Sequence, residues 1–216
     1  GFLKRNKSPD YSFVYDQVVS FGEILSTKII NSYLNYSNIR CNWVDARVLI
    51  KTDSKYRDAN LNWEITKASI SKNIDTKLLN ITQGFIASDA NSFSTTLGRE
   101  GSDYSAAIFA YCLNAESVTI WKDVPGVLNA DPRVFKKPQL LNKISYTEAI
   151  ELAFYGASVI HPKTLQPLQK KEIPLYVKSF LDPFSQGTAI SRGIKIDPKI
   201  PCFIVQRNLS LLKLSS

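Results

Sequence analysis

The loop at residues 98–104, Gly-Arg-Glu-Gly-Ser-Asp-Tyr, contains the residue types of an anion-binding turn. Glycine lets a ligand approach the backbone closely, and the apolar run 106–113 predicts a following helix whose first N–H groups would face an anion. Arg99 could hold a carboxylate with two parallel hydrogen bonds, and Asp103 could receive a proton, hold a lysine or orient a nucleophile. We expect Ser102 to cap the helix. The structural alternative is a tight turn before a capped helix.

A second segment has residues that suit a nucleotide. Residues 121–127, Trp-Lys-Asp-Val-Pro-Gly-Val, end a predicted strand at a Pro-Gly turn, and Asp-Pro-Arg follows at 131–133. This order would place Asp123 near a base or ribose and Arg133 near phosphate. Such a turn by itself more often only reverses the chain.

A third candidate lies on the first predicted helix, residues 12–35. Apolar residues recur there at helical spacing, at Val14, Val18, Phe21, Leu25 and Ile29. Glu23 follows a glycine, so a ligand amine could approach its carboxylate. A surface glutamate is the commoner role of a residue in this position.

The elements that must position these residues alternate between strand and helix. Strands are predicted at 39–44, 78–86, 117–121 and 173–178, and helices at 12–35, from Glu64 to Lys72, at 106–113, after the Ser145–Glu148 capping box, and from Pro162. This alternation favours an α/β fold with a mostly parallel sheet. In such folds ligands bind beyond the carboxyl ends of the strands, which is where both loops fall. In the helix after the capping box, Tyr146, Ile150, Ala153, Phe154 and Ala157 would share one face.

Composition excludes several classes of protein. The 27 basic and 19 acidic residues give a net charge of +8, but the basic residues are scattered, so we expect a solvated surface and no nucleic-acid partner. Three dispersed cysteines and one histidine argue against a zinc site and predict no metal held by protein side chains. A polar N-terminus without a signal peptide or membrane-length apolar run predicts a cytoplasmic protein with no membrane partner. The chain begins with glycine and has no methionine, so we expect a truncated N-terminus.

Together these segments resemble the aspartate kinases, a branch of the amino-acid kinase family. The matching stretches, in the family's order, are residues 20–26, 83–86, 96–104, 121–127 with 131–133, 155–162 and 186–188. The resemblance implies the amino-acid kinase fold, a three-layer αβα sandwich around a mostly parallel sheet. It also implies ATP-dependent phosphorylation of the aspartate side-chain carboxylate, the first step of lysine, threonine and methionine biosynthesis.

The resemblance implies a role for each matching residue that would contact substrate. Glu23 would pair with the α-ammonium of L-aspartate, and Arg99 would hold a carboxylate. Phe85 and Ser102 would line this pocket, while the catalytic residue Asp103 would organise the transferring phosphate and a catalytic lysine.

The nucleotide side departs from the family at three positions. The residues implied to contact ATP, with Mg²⁺ bridging its phosphates, are Lys122, Asp123, Arg133 and Ser158. Lys122 stands where relatives often carry Thr, Leu128 where they often carry Tyr, and Ser158 where they carry Lys. Lys122 or Lys163 is a candidate to supply the charge that Ser158 lacks.

Both ends of the chain fit a larger protein. The family's Lys-Phe-Gly-Gly-Thr-Ser segment, which supplies the phosphate-binding lysine, does not occur here, so we expect the chain alone to be inactive. Residues 1–196 would be the C-terminal part of the catalytic domain. Residues 197–216 would be the linker and first strand of a regulatory ACT-type domain, through which an amino-acid effector would act. Relatives are commonly homodimers, so a homodimer or higher homo-oligomer is expected.

Three alternatives stay open at this point. The first is another kinase of the same fold, such as an acetylglutamate or uridylate kinase. The second is a non-catalytic ligand-sensing or oligomerisation module, and the third, resting on net charge alone, is a nucleic-acid-binding module. His161 is expected to be a hydrogen-bonded structural residue, and Tyr104, Trp121 and Phe154 are expected in the core.

Overall fold

A computed structural model describes residues 8, 10–155 and 159–205. The chain divides into two compact units, with the boundary between Ala115 and Glu116. Two parts of the sequence-based prediction lie outside the described residues: Ala157 with Ser158, and residues 206–216 of the segment assigned to the linker and first ACT-type strand.

The first unit contains four helices and four short strands in its described part. In chain order they are α1 (Tyr11–Tyr36), β1 (Cys41–Trp43), α2 (Ala46–Leu49), α3 (Trp63–Asn73), β2 (Leu79–Ile81), β3 (Ile86–Ser88), β4 (Ser94–Thr96) and α4 (Gly101–Leu113). Strands β1 and β2 pair in parallel, and β3 pairs antiparallel with β4. The core gathers fully buried side chains from α2, α3 and α4, including Leu49, Ile70 and Ile108.

Helix α1 buries its polar face. It begins after Asp10, whose carboxylate accepts hydrogen bonds from the Ser12 and Phe13 amides. Its buried residues are Asp16, Gln17, Ser20 and Thr27. Its large exposed residues are Tyr11, Val18, Phe21, Leu25, Ile29, Ile30, Tyr33 and Tyr36. The predicted helix is therefore confirmed, but most of the apolar stripe that predicted it faces solvent in this chain.

The buried face of α1 substitutes for a neighbouring strand along β4. The Gln17 side chain donates to the Ser94 carbonyl at 2.7 Å and accepts from the Ser94 amide at 3.1 Å. Two residues along, the Asp16 carboxylate accepts from the Thr96 amide and hydroxyl, each at 2.9 Å. Because a strand edge needs partners for its backbone groups, polar residues on this face of α1 serve it better than apolar ones.

The second unit is built on a four-stranded mixed sheet. Its elements are β5 (Val118–Lys122), β6 (Lys143–Ser145), α5 (Tyr146–Tyr155), α6 (Pro162–Lys171), β7 (Leu175–Ser179) and β8 (Thr188–Ser191). The strand order is β5-β7-β8-β6. Strands β5 and β7 are parallel, as are β6 and β8, while β7 and β8 are antiparallel. The predicted α/β class with mostly parallel pairing is confirmed.

The predicted start signals of both helices in this unit are confirmed. The Ser145 amide donates to the Glu148 carboxylate at 2.7 Å, and the Glu148 amide donates to the Ser145 hydroxyl at 3.2 Å, so the capping box forms. His161 caps α6 by accepting the Lys163 amide at 3.1 Å through Nδ1, and Pro162 opens the helix. The lone histidine therefore has the structural role expected of it.

Two of the three aromatic side chains predicted to lie in the core are exposed. Tyr104 is buried as expected. Phe154 is 76% exposed. Tyr146 of the predicted face is buried, but the other buried residue of α5 is Ala149, which lies outside that face. Trp121 is 47% exposed at the end of β5, where the Lys178 ammonium lies 5.8 Å from its ring centroid. Both core predictions were wrong.

Throughout residues 10–155 and 159–205, every helix is too short or too polar to span a bilayer.

Candidate functional site

Close backbone contact brings the Gln-Gly-Phe segment onto the start of helix α4. A Cβ added at Gly84 would lie 2.9 Å from the Ser102 Cα, and one added at Gly101 would lie 2.8 Å from the Phe85 ring. Such contacts leave no room for a side chain at either position. The Phe85 amide donates to the Ser105 hydroxyl at 2.9 Å, and its carbonyl accepts the Leu97 amide at 2.9 Å.

These contacts explain why the predicted strand 78–86 is interrupted. Phe85 has a φ of +70°, a left-handed conformation that a strand cannot contain. The chain therefore pairs as β2, turns at Gly84 and Phe85, and resumes as β3. The turn presents Phe85 to the loop at 98–104, where its ring packs on Gly101.

Helix α4 begins two residues earlier than predicted. Gly101 is its first residue, and Glu100, with a φ of +53°, occupies the N-cap position without a side-chain cap. Ser102 is thus an exposed residue of the first turn, and its prediction as the N-cap was wrong. The Gly101 amide donates to the Gly98 carbonyl at 3.1 Å, which closes the turn before the helix.

The loop places its two charged candidates in contrasting surroundings. Arg99 is exposed, so its guanidinium is available to a ligand in solution. Asp103 lies in the first helical turn and is only 8% exposed. A carboxylate in this position also interacts favourably with the helix N-terminus. An exposed arginine beside a positioned acid is the arrangement that binding a carboxylate and organising a phosphate would need.

Glu100 is a residue of this loop that the sequence did not single out. One of its carboxylate oxygens is buried and has no hydrogen-bond donor among the described residues. Its backbone is also held in the left-handed region, which costs an ordinary side chain about 1–2 kcal/mol. A glutamate between Arg99 and Gly101 follows no helical or strand pattern, so periodicity could not have revealed it.

A buried polar hub holds Glu23 relative to the Gln-Gly-Phe segment. The Thr27 hydroxyl, one turn after Glu23, donates to the Glu23 carbonyl at 2.9 Å and accepts the Gln83 amide group at 2.8 Å. It also accepts the Trp43 indole N–H at 3.0 Å. The side-chain oxygen Oε1 of Gln83 in turn accepts the Ala46 amide at 2.8 Å.

This hub links α1, β1 and α2 to the residues just before Phe85. Glu23 is half-buried, and this burial raises the pKa of its carboxyl. A Cβ on the neighbouring Gly22 would meet nothing within 4 Å, so the helix surface is open at Gly22. The hub itself was missed by sequence reasoning, although Gln83 belongs to a motif that was recognised.

The predicted nucleotide segment in the second unit is a tightly held turn. Lys122 is the last residue of β5, and Asp123 follows it at the surface. Gly126 has a φ of +146°, and a Cβ there would lie 2.5 Å from the Thr188 hydroxyl, which accepts the Val127 amide at 2.8 Å. The turn therefore packs directly on strand β8.

Arg133 lies at an exposed bend and is held by its neighbour. Its guanidinium is paired with the Asp131 carboxylate at 2.8 Å, and Asp131 also accepts the Arg133 amide at 2.8 Å. The Asp-Pro-Arg segment is thus a local ion-paired turn whose arginine is 87% exposed. Ser158 lies outside the described residues, so its predicted ATP contact stays a prediction.

Comparison with known proteins identifies the family. Residues 3–179 match the Amino acid kinase family, and the chain belongs to it. It is 37% identical over 205 residues to lysine-sensitive aspartokinase 3 of Escherichia coli (strain K12), covering 93% of this chain and 45% of that protein. It is 35% identical over 206 residues to bifunctional aspartokinase/homoserine dehydrogenase 1, chloroplastic, of Arabidopsis thaliana, covering 91% of this chain and 23% of that protein.

The fold comparison agrees. The structure of E. coli aspartokinase III in complex with aspartate and ADP (R-state) superposes with a TM-score of 0.81 and 36% sequence identity, over 85% of this chain and 42% of that one. The predicted amino-acid kinase fold is therefore confirmed. The chain spans less than half the length of these curated relatives.

Proposed function

We propose that this chain is part of an enzyme that phosphorylates the side-chain carboxylate of L-aspartate with ATP. The observation that carries the proposal is the packing of Phe85 on Gly101, which joins the Gln-Gly-Phe turn to the loop carrying Arg99, Ser102 and Asp103. The aspartokinase relatives, one of them solved with aspartate and ADP, support this substrate over the uridylate or acetylglutamate alternatives.

In the proposed reaction the residues mainly bind and orient. Glu23 accepts the substrate ammonium, and Arg99 holds one carboxylate with two hydrogen bonds. The side-chain carboxylate of aspartate, already ionised at neutral pH, forms a new O–P bond to the γ-phosphorus as the bond to the β–γ bridging oxygen breaks. ADP leaves, and no proton has to be removed, so the site needs no general base.

We propose that Mg²⁺ reaches this site on the nucleotide. No three His, Cys, Asp or Glu side chains cluster as a metal site within the part of the chain that the structure describes. Mg²⁺ is commonly bound through one or two carboxylates together with substrate phosphates, which fits such a sparse donor set. Asp123 at the end of β5, with Lys122 and Arg133, would face ATP, and Ser158 is proposed to do so as well. The ion would neutralise charge on the phosphates.

The test is product formation by the full-length protein. With ATP–Mg²⁺ and hydroxylamine as the trapping agent, L-aspartate is expected to give a hydroxamate, whereas N-acetylglutamate is not. ADP release in the presence of UMP is expected to stay at background. Turnover of UMP would instead favour another kinase of the same fold. Thermal stability that responds neither to aspartate nor to ATP–Mg²⁺ would favour a non-catalytic module.

We further propose that the protein is a homo-oligomer whose subunits meet through the exposed stripe of α1. Leu25 and Ile29 are 62% and 60% exposed on adjacent turns of this helix, in a stripe that begins near Tyr11 and reaches Tyr36. An apolar patch of this extent favours association.

A lysine or threonine effector, acting through the chain beyond residue 197, would be revealed by adding each amino acid separately to the activity assay.

Replacing Leu25 with glutamate, together with Ile29→Lys, is expected to shift the full-length protein towards monomer. Both new charged side chains would have to leave water on association, and the desolvation penalty is several kcal/mol per ion even when opposite charges pair. Analytical ultracentrifugation over a hundredfold range of concentration measures the change. The control is the double variant Ile65→Glu with Leu78→Lys, at two positions that are each 51% exposed. Equal effects of the two double variants would argue against an interface on α1.

A further inference from the structure

Residues 197–203, here called the C-terminal strap, return to the predicted nucleotide segment. The sequence assigned them to a linker leading out of the catalytic domain. The Asn142 amide donates to the Asp197 carbonyl at 2.7 Å, and the Asp197 amide donates to the Lys143 carbonyl at 2.8 Å. The strap therefore starts beside strand β6.

The segment that the strap reaches is a two-stranded turn from Val127 to Leu141. The Leu141 amide donates to the Val127 carbonyl at 2.9 Å, and the Asn129 amide donates to the Gln139 carbonyl at 2.9 Å. Between these bonds, Leu128 pairs with Leu140 in an antiparallel bridge. These bonds tie residues 127–129 to residues 139–141.

The strap bonds to the same segment at Asn129 and Ala130. The Phe203 amide donates to the Asn129 carbonyl at 2.7 Å, and Phe203 pairs with Ala130 in a parallel bridge. The Phe203 ring stacks on Phe135 with a centroid distance of 5.5 Å and an interplanar angle of 30°. Phe135 itself belongs to the bend, because its amide donates to the Asp131 carbonyl at 2.9 Å.

Asn129 joins all three segments through its side chain. Its amide group donates to the Pro201 carbonyl at 3.1 Å, and its side-chain oxygen accepts the Gln139 amide at 2.7 Å. The bend that carries Asp131 and Arg133 is thus fixed from both sides. The strap supplies the contacts on one side of the bend, although Pro201 lies 72 residues after Asn129 in the sequence.

We propose that Phe203 is a positioning residue for the nucleotide: its stacking on Phe135 and its bond to Asn129 hold the Asp131–Arg133 bend where ATP binds. The inference rests on the proposed function, which assigns that bend to ATP. It also makes the bend responsive to the chain that continues beyond Val205, because any pull on the strap acts on Asn129 and Phe135 directly.

The experiment is steady-state kinetics of the full-length protein carrying Phe203→Ala. We expect the KM for ATP–Mg²⁺ to rise about five- to tenfold, the range that loss of one aromatic pair supports, while the KM for aspartate changes less than twofold. Asn129→Ala is also expected to raise the KM for ATP–Mg²⁺, whereas Phe203→Tyr is expected to keep the wild-type value. The matched control is Phe184→Ala, since Phe184 is 97% exposed in the same unit.

An unchanged KM for ATP–Mg²⁺ in Phe203→Ala, or an equal rise in both KM values, would overturn the inference. If Phe203→Ala does not fold, Phe203→Leu keeps an apolar contact without the ring stack and answers the same question. Failure of the proposed function is seen separately, as a wild-type protein that makes no aspartyl phosphate. Calorimetric titration of wild type and Phe203→Ala with ATP–Mg²⁺ then still measures the positioning effect.

Discussion

Replacing Arg99 with alanine is expected to lower kcat/KM for aspartate by about 10²- to 10³-fold in the full-length protein. Removing one partner of a hydrogen-bonded charge pair between protein and ligand costs about 2–5 kcal/mol, and each 1.4 kcal/mol is a factor of ten. The exposure of Arg99 in the described structure means that its truncation leaves no cavity. The fold should therefore survive, and the loss should be confined to ligand binding.

Two further variants sharpen this prediction. Arg99→Lys keeps the charge but not the planar pair of donors, so it is expected to recover only part of the activity. Arg40→Ala is the matched control, because Arg40 is an exposed arginine of the same unit and belongs to no motif. Aspartate titration followed by thermal shift gives the binding readout. A wild-type aspartate response in Arg99→Ala would remove this residue from the substrate site.

The sequence predicted the longer helices and four of the strands, because periodicity and start signals are local, but it missed the short elements α2, β4, β6 and β8. The capping box at Ser145, the proline opening α6 and the helix at α1 all rest on residues within a few positions of one another. Which face a helix buries is a different matter, since it depends on partners far along the chain. The Gln17 side chain meets Ser94 across 77 residues, and nothing in the local pattern encodes that contact.

In the candidate site, too, the sequence predicted the residues but not the conformations that depend on distant contacts. The motifs identified Phe85, Arg99 and Asp103 by resemblance, and the structure shows Phe85 packed against the start of the helix that carries Asp103. The left-handed backbone at Phe85 and Glu100 could not be foreseen, because neither residue type favours it. Phe85 adopts its conformation where the turn packs on Gly101, and no local pattern encodes that contact.

The resemblance assigns residues 197–216 to a linker and the first strand of an ACT-type domain, and that assignment stays a prediction. The structure adds that residues 197–203 form hydrogen bonds with residues 129 and 142–143 of the second unit. Proline-rich, irregular sequence marks a lack of helix or strand periodicity, but it does not say whether the backbone bonds to a neighbouring segment. Contacts of this kind are backbone-mediated, so side-chain patterns carry little trace of them.

Replacing Asp16 with alanine is expected to lower the free energy of unfolding by about 3–5 kcal/mol. Asp16 is fully buried, and its carboxylate accepts the Arg57 amide, the Thr96 amide and the Thr96 hydroxyl, each at 2.9 Å. Alanine leaves these donors without an acceptor, and each buried unsatisfied group costs about 1–3 kcal/mol. Urea unfolding gives the free energy. Hydrogen exchange at the Thr96 amide reports on the β4 edge itself, independently of the second unit.

The control is Asp75→Ala, because Asp75 is an exposed residue whose carboxylate accepts a single amide, that of Lys77 at 2.9 Å. We expect a loss of no more than about 1 kcal/mol there. Equal losses at both positions would show that the buried acceptor contributes nothing special. Asp16→Asn is expected to be far milder than Asp16→Ala, since its amide oxygen can accept both backbone amides and its NH₂ group can donate to the Thr96 hydroxyl.

The pH dependence separates charge from hydrogen bonding at this position. Burial raises the pKa of Asp16, although hydrogen bonds from Arg57 and Thr96 and the charge of Arg57 oppose the shift. The folded state therefore holds this proton more tightly than the unfolded state, whose aspartates titrate near pH 3.9. As the pH rises, Asp16 ionises first in the unfolded state. The free energy of unfolding of the wild type therefore falls between the pKa of the unfolded state and the raised pKa of the folded state. Asp16→Asn has no such proton, so its stability relative to the wild type should rise over that same interval and then level off. A difference that stays flat with pH would mean that the Asp16 carboxylate ionises as readily in the fold as in the unfolded chain.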